Sequence, residues 1–228
     1  EFEDVPIEDF LRSHATRGVY ENFFEPLLDA KFGDRKGDVS AAWLLGRIKF
    51  RGERDLRRGE ILGYFQGGFA ALIDALVDAV GRENVVTGAR ATDLGVRGGT
   101  VESITVDTAS GTERRPTDGV VVATMPNVLE ELTGYTCDID FQGAVCAVVT
   151  MDKSLTETYW LNVAHDAPFG ALIEHTNFVP PARYGGDHLC YVASYVQDPS
   201  EDVWRMDDDA LRETWLGHIA GMFPGFDP

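Results

Sequence analysis

The sequence predicts an α+β fold, in which helices and antiparallel strands occupy separate stretches of the chain. Apolar residues recur at helical spacing near the N-terminus, over 69–80 and over 207–221. Elsewhere, short runs rich in valine and aromatic residues are bounded by glycine-containing turns, a pattern typical of strands. With 228 residues, the chain can form one large domain or two small ones.

The N-terminal region is predicted to be helical. Residues 6–32 have the spacing of helices that are interrupted near Gly18 and Pro26. Ser40 is expected to cap a further helix with the sequence "AAWLLGRIKF". The charged run "RGERDLRRGE" after it is predicted to be a solvated link.

Two adjacent glycines, Gly67 and Gly68, separate a strand-like run from the helix over 69–80, which Gly81 is expected to end. A strand, a glycine pair and a helix could bind a phosphate, because a helix N-terminus presents free N–H groups. The pair lacks the GxGxxG spacing of dinucleotide-binding loops. The residues alone therefore favour a tight turn with close backbone packing.

The middle of the chain is predicted to form an antiparallel ribbon of three strands, 89–96, 100–107 and 111–115, with turns at "RGGT" and "SGT". The continuous apolar run in "DGVVVATMP", residues 118–126, is typical of a strand buried on both faces. A short helix, "NVLEEL", is expected after it.

The C-terminal part is predicted to form a larger sheet with one face covered. Its strands have the sequences "GAVCAVVTM", "TYWLNVA", "GALIEHT" and "HLCYVASYV". The closing helix over 207–221 begins with aspartates, which suit the positive end of a helix dipole. Leu211, Trp215 and Ile219 mark its buried stripe.

The charge of the chain excludes some partners. Lys and Arg number 20 against 38 Asp and Glu, so the formal net charge is −18. A field of this sign repels nucleic acid and anionic membrane surfaces, and the sequence has no apolar run long enough to span a membrane. Only four of the basic residues are lysine. Because about 1 M salt shortens the screening length to roughly 3 Å, this composition indicates a halophile with a salty cytoplasm.

The cysteines predict a reducing compartment. Cys137, Cys146 and Cys190 are odd in number and have no CxxC spacing. Cys146 and Cys190 lie in apolar strand-like runs, so we expect buried free thiols and a cytoplasmic location.

Motifs for metal binding or hydrolysis are missing from the sequence. The histidines show no HExxH spacing, and neither GxSxG nor GxxxxGK[ST] occurs. In "EHTNF", Glu174 and His175 are neighbours on a predicted strand and should point to opposite faces. The residues predict no metal site and identify no catalytic base.

The order of segments resembles one enzyme superfamily. "YFQGGFAALIDALVDAVGRENVVTGARATDL", a hairpin ribbon and then "DGVVVATMP" resemble the flavoproteins that include amine oxidases, phytoene desaturases and protoporphyrinogen oxidases. "YENFFEPLLDAKFGDRKGDVSAAWLLGRIKFRG" and "IEHTNFVPPARYGGDHLCYVASYV" are similar to one branch of them. The resemblance covers essentially the whole chain. It implies an FAD-dependent oxidoreductase that oxidises a small-molecule substrate by hydride transfer to the flavin.

The resemblance also implies a division of the chain. Residues 1–82 would be the helical part of a substrate domain with its crossover helix. Residues 83–135 would be part of an FAD/NAD(P)-binding α/β domain, and 136–228 the substrate-domain sheet with its closing helix. The phosphate loop and a second flavin-contacting segment of such proteins do not occur here, so we expect the interior of a longer flavoenzyme. Such a piece should bind FAD poorly and expose an apolar face through which it could form a homodimer.

The resemblance assigns candidate site residues. Ala91 matches a position whose backbone meets the adenine, and Thr124, Met125 and Pro126 match a loop that approaches the cofactor. Without the resemblance, these four positions are a plain strand residue and a strand end. The residues expected on the substrate side are Tyr64, Gly67 and Gly68 before the crossover helix, and His175, Asn177 and Tyr195 on the sheet, where ordinary residues with satisfied hydrogen bonds are the alternative.

Two other functions are compatible with the sequence. A redox-neutral flavin enzyme similar to UDP-galactopyranose mutase would need Arg or Tyr side chains that converge on a diphosphate, and Arg47, Arg51 and Arg183 are available. A non-catalytic binding module would be complete as it stands and would expose no large apolar face.

Overall fold

The computed structural model describes residues 2–50, 63–163 and 167–228. The chain divides into two compact units, Glu1–Leu62 with Phe141–Pro228 and Gly63–Asp140. We call them the sheet unit and the ribbon unit. The predicted link at 51–60 lies outside the described residues.

The α+β prediction is confirmed. The α-helices are α1 (Ile7–His14), α2 (Arg17–Val19), α3 (Glu25–Phe32), α4 (Ala41–Phe50), α5 (Phe69–Val80), α6 (Pro126–Thr133), α7 (Asp202–Arg205) and α8 (Asp208–Met222). The strands are β1 (Arg90–Arg97), β2 (Thr100–Thr108), β3 (Gly111–Pro116), β4 (Gly143–Met151), β5 (Trp160–Asn162), β6 (Ala171–Glu174) and β7 (His188–Val196).

The N-terminal helices of the sheet unit enclose a small core of their own. Its buried residues are Ile7, Leu11, Tyr20 and Leu28. The Tyr20 hydroxyl donates a 2.6 Å hydrogen bond to a Glu8 carboxylate oxygen. Burial, together with this hydrogen bond, raises the pKa of Tyr20 to about 12.

The helical interruptions differ slightly from the predicted ones. The chain breaks between α1 and α2, just before Gly18, and a π-helical segment, Tyr20–Phe24, joins α2 to α3. Pro26 lies in the first turn of α3, where its missing N–H costs little.

The larger sheet has the strand order β4-β7-β6-β5 and is antiparallel throughout. As predicted, helix α8 covers one face. Trp215 and Ile219 of α8 pack against a buried layer that includes Leu172, Cys190 and Val192. Asp207 caps the helix by accepting a 2.8 Å hydrogen bond from the Ala210 N–H.

Two strands of this sheet are shorter than predicted. β5 is confined to Trp160–Asn162, and β6 ends at Glu174. His175 begins a 3₁₀ turn, His175–Asn177, so the expectation that Glu174 and His175 are strand neighbours on opposite faces is wrong.

In the ribbon unit, β1, β2 and β3 form the predicted antiparallel ribbon. Gly67 and Gly68 lie just before α5 with φ of 93° and 75°, a region that side chains with a Cβ rarely adopt. The Gly68 N–H donates a 2.9 Å hydrogen bond to the Phe65 carbonyl. The glycine pair therefore forms the expected tight turn.

The strand predicted in "DGVVVATMP" does not form. Residues 118–125 belong to no strand, and Val121 is 91% exposed. A strand needs a neighbour with which to share its hydrogen bonds, and no strand of the described residues pairs with this segment. The prediction of burial on both faces is wrong for the same reason.

Helix α5 also leaves its apolar stripe uncovered. Phe69, Ile73, Leu76 and Val80 are each more than half exposed. The helix predicted from this spacing is confirmed. Such a stripe usually packs against another element, but no element of the described residues buries it.

We expect Gly68→Ala to lower the free energy of unfolding by about 1 kcal/mol, because an alanine pays for a positive φ even where space is available. Gly63→Ala is the control, since Gly63 has an ordinary φ and nothing lies near its Cβ position. Urea unfolding followed by circular dichroism measures the difference. Equal stability of the two variants would show that the turn tolerates a Cβ.

Candidate functional site

The face of the larger sheet opposite α8 is apolar and largely open. Side chains alternate along β4, so Ala147 and Val149 pack toward α8, whereas Cys146 and Val148 lie on the other face. Val148 is 57% exposed. The β4–β7 register places Cys146 opposite Ala193. We call this surface the open face; it also carries Trp160 of β5 and Tyr195 of β7.

The prediction that Cys146 is buried is therefore wrong, because it lies on the open face and is exposed. Its partial burial still raises its pKa. Cys190, on the covered face, is buried as predicted. Burial, and to a smaller extent the Glu174 charge, raise the pKa of Cys190 to about 12, so its thiol is unreactive.

Helix α3 lies against one end of the larger sheet. A Cβ at Gly170 would lie 3.3 Å from the Ala30 carbonyl oxygen and from the Ala30 Cβ. This glycine lets the helix approach the sheet closely. The Lys31 carbonyl oxygen accepts hydrogen bonds from the side-chain amides of Gln142 and Gln197, which flank β4 and β7.

The side chain of Lys31 reaches Tyr195 on the open face. The Lys31 Nζ donates a 2.7 Å hydrogen bond to the Tyr195 Oη and lies 3.9 Å from the ring centroid. The same ammonium lies 5.7 Å from the Phe32 ring centroid and 5.9 Å from that of Trp43. The guanidinium carbon of Arg47 also lies over the Trp43 ring, 5.1 Å from its centroid. The positive charge of Lys31 therefore lies among the aromatic rings of Phe32, Trp43 and Tyr195.

His175 and Asn177, both expected on the substrate side, hold the structure of the loops at the end of β6. His175 is 5% exposed, and its Nε2 lies 2.6 Å from the Tyr184 Oη. Burial lowers the pKa of His175. The Asn177 amide donates to the carbonyls of Thr156 and Thr158 at 2.9 and 3.0 Å.

Glu174 is the most deeply buried acid of this region, at 1% exposure. Its carboxylate accepts hydrogen bonds from the Leu155 N–H, the Thr156 N–H and the Thr156 hydroxyl, at 2.6–2.7 Å. The three donors satisfy the carboxylate and fix the loop that leads into β5.

The His175 ring also contacts the ring of Tyr191, which lies opposite Val148 on the open face, at 5.8 Å between centroids. Of the three residues expected on the sheet, Tyr195 is the one that lies on the open face and interacts with a charged group.

The other expected site residues lie in the ribbon unit. Ala91 is half-buried on β1, opposite Val106. Thr124 and Met125 lie in the unpaired segment, and Pro126 is the first residue of α6. The structure places Ala91 in a strand, Pro126 in the first turn of α6 and Thr124 and Met125 just before that helix, and the roles assigned to all four remain predictions.

The glycine turn before α5 is closed by its own hydrogen bonds and ring contacts. The Gly68 N–H is bonded to Phe65, and the Ala71 N–H to the Gly68 carbonyl at 3.2 Å. The Tyr64 and Phe65 rings both contact Phe69 edge-on, at 5.6 Å between centroids. Two N–H groups near the start of α5 are thus bonded within the turn, and the glycine pair lacks the GxGxxG spacing of a dinucleotide-binding loop.

Charged residues elsewhere form no second site among the described residues. No group of three His, Cys, Asp or Glu side chains could hold a metal. Arg47 and Arg183 lie on separate elements, α4 and the 3₁₀ turn Pro181–Tyr184, and Arg51 lies outside the described residues. No helix of the described residues has the length and apolarity needed to cross a membrane.

A sequence model of the flavin-containing amine oxidoreductases matches residues 3–228. The chain belongs to the flavin-containing amine oxidoreductase family. The resemblance read from the segment order is thereby confirmed. No curated protein sequence matches the chain.

A solved structure has the same fold as this chain. It is an oxidoreductase from Methanosarcina mazei, with a TM-score of 0.67 and 15% sequence identity. The match covers 96% of this chain and 53% of that one, so the chain spans about half the length of the solved protein.

Sequence reasoning missed two parts of the candidate site in this chain. Lys31 and Trp43 were not singled out, although both lie in a segment that carries the family resemblance. Glu174 was considered only as a metal ligand. A lysine next to an aromatic residue in the sequence can indicate a cation–π contact, but the hydrogen-bond partner of Lys31, Tyr195, is 164 residues away.

We expect the loss of stability on acidification to depend on His175. Because burial lowers its pKa, the unfolded chain binds a proton first as the pH falls below about 6.5, and the folded state loses stability. Above that pH both states are neutral and the group has no effect.

His175→Gln should therefore show a smaller fall in unfolding free energy between about pH 7 and about pH 5 than the unchanged protein. His14→Gln is the control, because His14 is exposed. Urea unfolding at each pH measures the fall. An unchanged pH dependence in His175→Gln would contradict the burial of the neutral ring.

Proposed function

We propose that this chain is the substrate side of an FAD-dependent oxidoreductase that oxidises a small organic substrate, with the flavin as hydride acceptor. The observation that carries the proposal is the family match over residues 3–228. The match to a solved oxidoreductase supports the fold. Because the chain spans about half of that structure, the activity is proposed for a protein that contains this chain.

The open face suits an organic substrate. Trp160 and Val148 are each at least half exposed, on a sheet whose other face is filled by α8. An apolar floor on a rigid sheet holds a reactant in place and keeps water away from it. The residues of this chain therefore supply binding and orientation, which is the usual contribution of the protein in flavin enzymes.

In the ribbon unit, the proposal assigns Tyr64, Gly67 and Gly68 to the substrate side, and Ala91, Thr124, Met125 and Pro126 to the cofactor side. The exposed apolar stripe of α5 and the unpaired segment 118–125 indicate that this unit has surface available to contact another part of the enzyme or a second copy. Association of two copies through the exposed stripe remains a prediction.

The two alternative functions have less support. Of the three arginines available for a diphosphate, Arg47 lies against Trp43, and nothing in the described residues brings Arg183 to it. A self-contained binding module predicts a covered apolar surface, and the stripe of α5 is more than half exposed.

The proposed function is tested with a protein that contains this chain and extends to the length of the solved oxidoreductase. We expect it to purify yellow, and candidate substrates to bleach its flavin absorbance without oxygen. Val148→Lys should slow bleaching at least about tenfold without changing the flavin spectrum, because it places a charge on the apolar floor.

Val19→Lys is the matched control, since Val19 is an exposed valine that belongs to α2 and to no strand of the sheet. Equal rates for the two variants would exclude the open face as the substrate surface. A colourless preparation that takes up no added FAD would contradict the whole proposal.

The 228-residue chain by itself should bind FAD weakly, because its glycine pair lacks the GxGxxG spacing of a dinucleotide-binding loop and a dinucleotide needs such a loop for its phosphates. Fluorescence titration with FAD measures the affinity. A submicromolar dissociation constant would show that a phosphate site exists elsewhere in the chain.

A further inference from the structure

The two half-buried lysines of the N-terminal helical region have opposite surroundings. Lys36 has carboxylates on several sides: its Nζ lies 2.7 Å from Asp29, 3.8 Å from Glu25 and 3.9 Å from Glu8. Among the described residues, no carboxylate forms a salt bridge with Lys31, whose ammonium contacts rings and a phenol instead. In a chain with 38 acidic and 20 basic residues, a half-buried cation without an anion needs an explanation.

The hydrogen bond from Lys31 to Tyr195 is exposed, so the aromatic contacts hold the ammonium without removing it from water. Each cation–π contact contributes about 0.5–2 kcal/mol, and an ammonium has three N–H donors. The Tyr195 hydroxyl takes one of them. The remaining donors and the positive charge are available to an anion that approaches along the open face.

The position of the charge restricts what that anion can be. Lys31 contacts Tyr195 at one end of the open face, where Ala144 lies opposite Tyr195 and the next pair on the same face is Cys146 with Ala193. A ligand that uses both the ammonium and this part of the sheet needs an apolar body and a single negative group. A polyanion such as a diphosphate would need several converging cations, whereas Lys31 is a single point charge.

We propose that Lys31, held by Tyr195, binds the carboxylate of an apolar carboxylic acid on the open face, and that the substrate of the enzyme belongs to this class. The second statement rests on the proposed function; the first does not. Tyr195 positions the ammonium through its hydroxyl and ring, and the rings of Trp43 and Phe32 lie within 6 Å of it. The carboxylate takes the ammonium donors that Tyr195 leaves unused.

The test uses the 228-residue chain and two probes of the same shape, phenylpropionate and its neutral amide, phenylpropionamide. Dissociation constants come from ligand-observed NMR titrations at about 0.1 M salt. The chain should bind the acid at least about tenfold more tightly than the amide, as expected for a hydrogen bond to a charged group. Salt of about 1 M should reduce this preference.

Lys31→Met should remove the preference and leave the affinity for the amide within about twofold. Lys31→Arg should keep part of it, and Lys153→Met, at an exposed lysine, should keep all of it. Tyr195→Phe should reduce the preference while retaining the ring. Circular dichroism confirms that each variant folds, and the ratio of acid to amide in the unchanged chain tests the proposal even if a variant does not.

Equal affinity for the two probes in the unchanged chain would overturn the proposal, as would a preference that persists in Lys31→Met. Inorganic phosphate that displaces phenylpropionate at lower concentration than acetate does would replace the carboxylate with a phosphate ligand. No flavin or turnover enters this test, so its failure leaves the oxidoreductase proposal intact. Conversely, a colourless full-length protein would contradict the oxidoreductase proposal but not the expected preference of the 228-residue chain for the acid over the amide.

Discussion

The packing of α8 on one face of the four-stranded sheet is the interaction on which the rest of the sheet unit depends. Side chains on a strand alternate between faces, so filling one face with Trp215, Ile219 and their partners fixes which residues the other face presents. The apolar character of the open face is a consequence of this register. A shift of one residue in β4 would exchange Val148 for Ala147 and Val149 and destroy both surfaces.

The same packing explains why polar groups at the ends of the strands are buried. β6 ends beside the loop that leads into β5, and the chain must turn there without leaving N–H groups unpaired. The Glu174 carboxylate accepts three hydrogen bonds from this loop, and the Asn177 amide donates to two of its carbonyl oxygens. Residues that look chemically versatile in the sequence thus hold the scaffold, which leaves the open face to residues with ring and aliphatic side chains.

The sequence predicts the parts of this fold that depend on local pattern. Helix α8 and strands β4 and β7 follow from periodicity, and the Gly67–Gly68 turn follows from the conformational freedom of glycine. The strand expected at 118–126 failed because an apolar run indicates burial but does not supply a partner. Lys31 and Tyr195 could not be paired in advance, since 164 residues separate them and no period links α3 to β7. Family resemblance supplied the enzyme class, which no residue pattern in the chain establishes.

Lys31 and Lys36 show how position on one short helical stretch decides what a charge does. Lys36 faces the carboxylates of the N-terminal helices and neutralises them, which matters in a chain of net charge −18. Lys31 faces the sheet, where α3 approaches Gly170 closely and the Gln142 and Gln197 amides hold its carbonyl. These backbone contacts fix the lysine whether or not its side chain is charged. Its ammonium is therefore not required to attach the helix, and a charge that the scaffold does not need, placed beside an apolar surface, is best explained by a ligand.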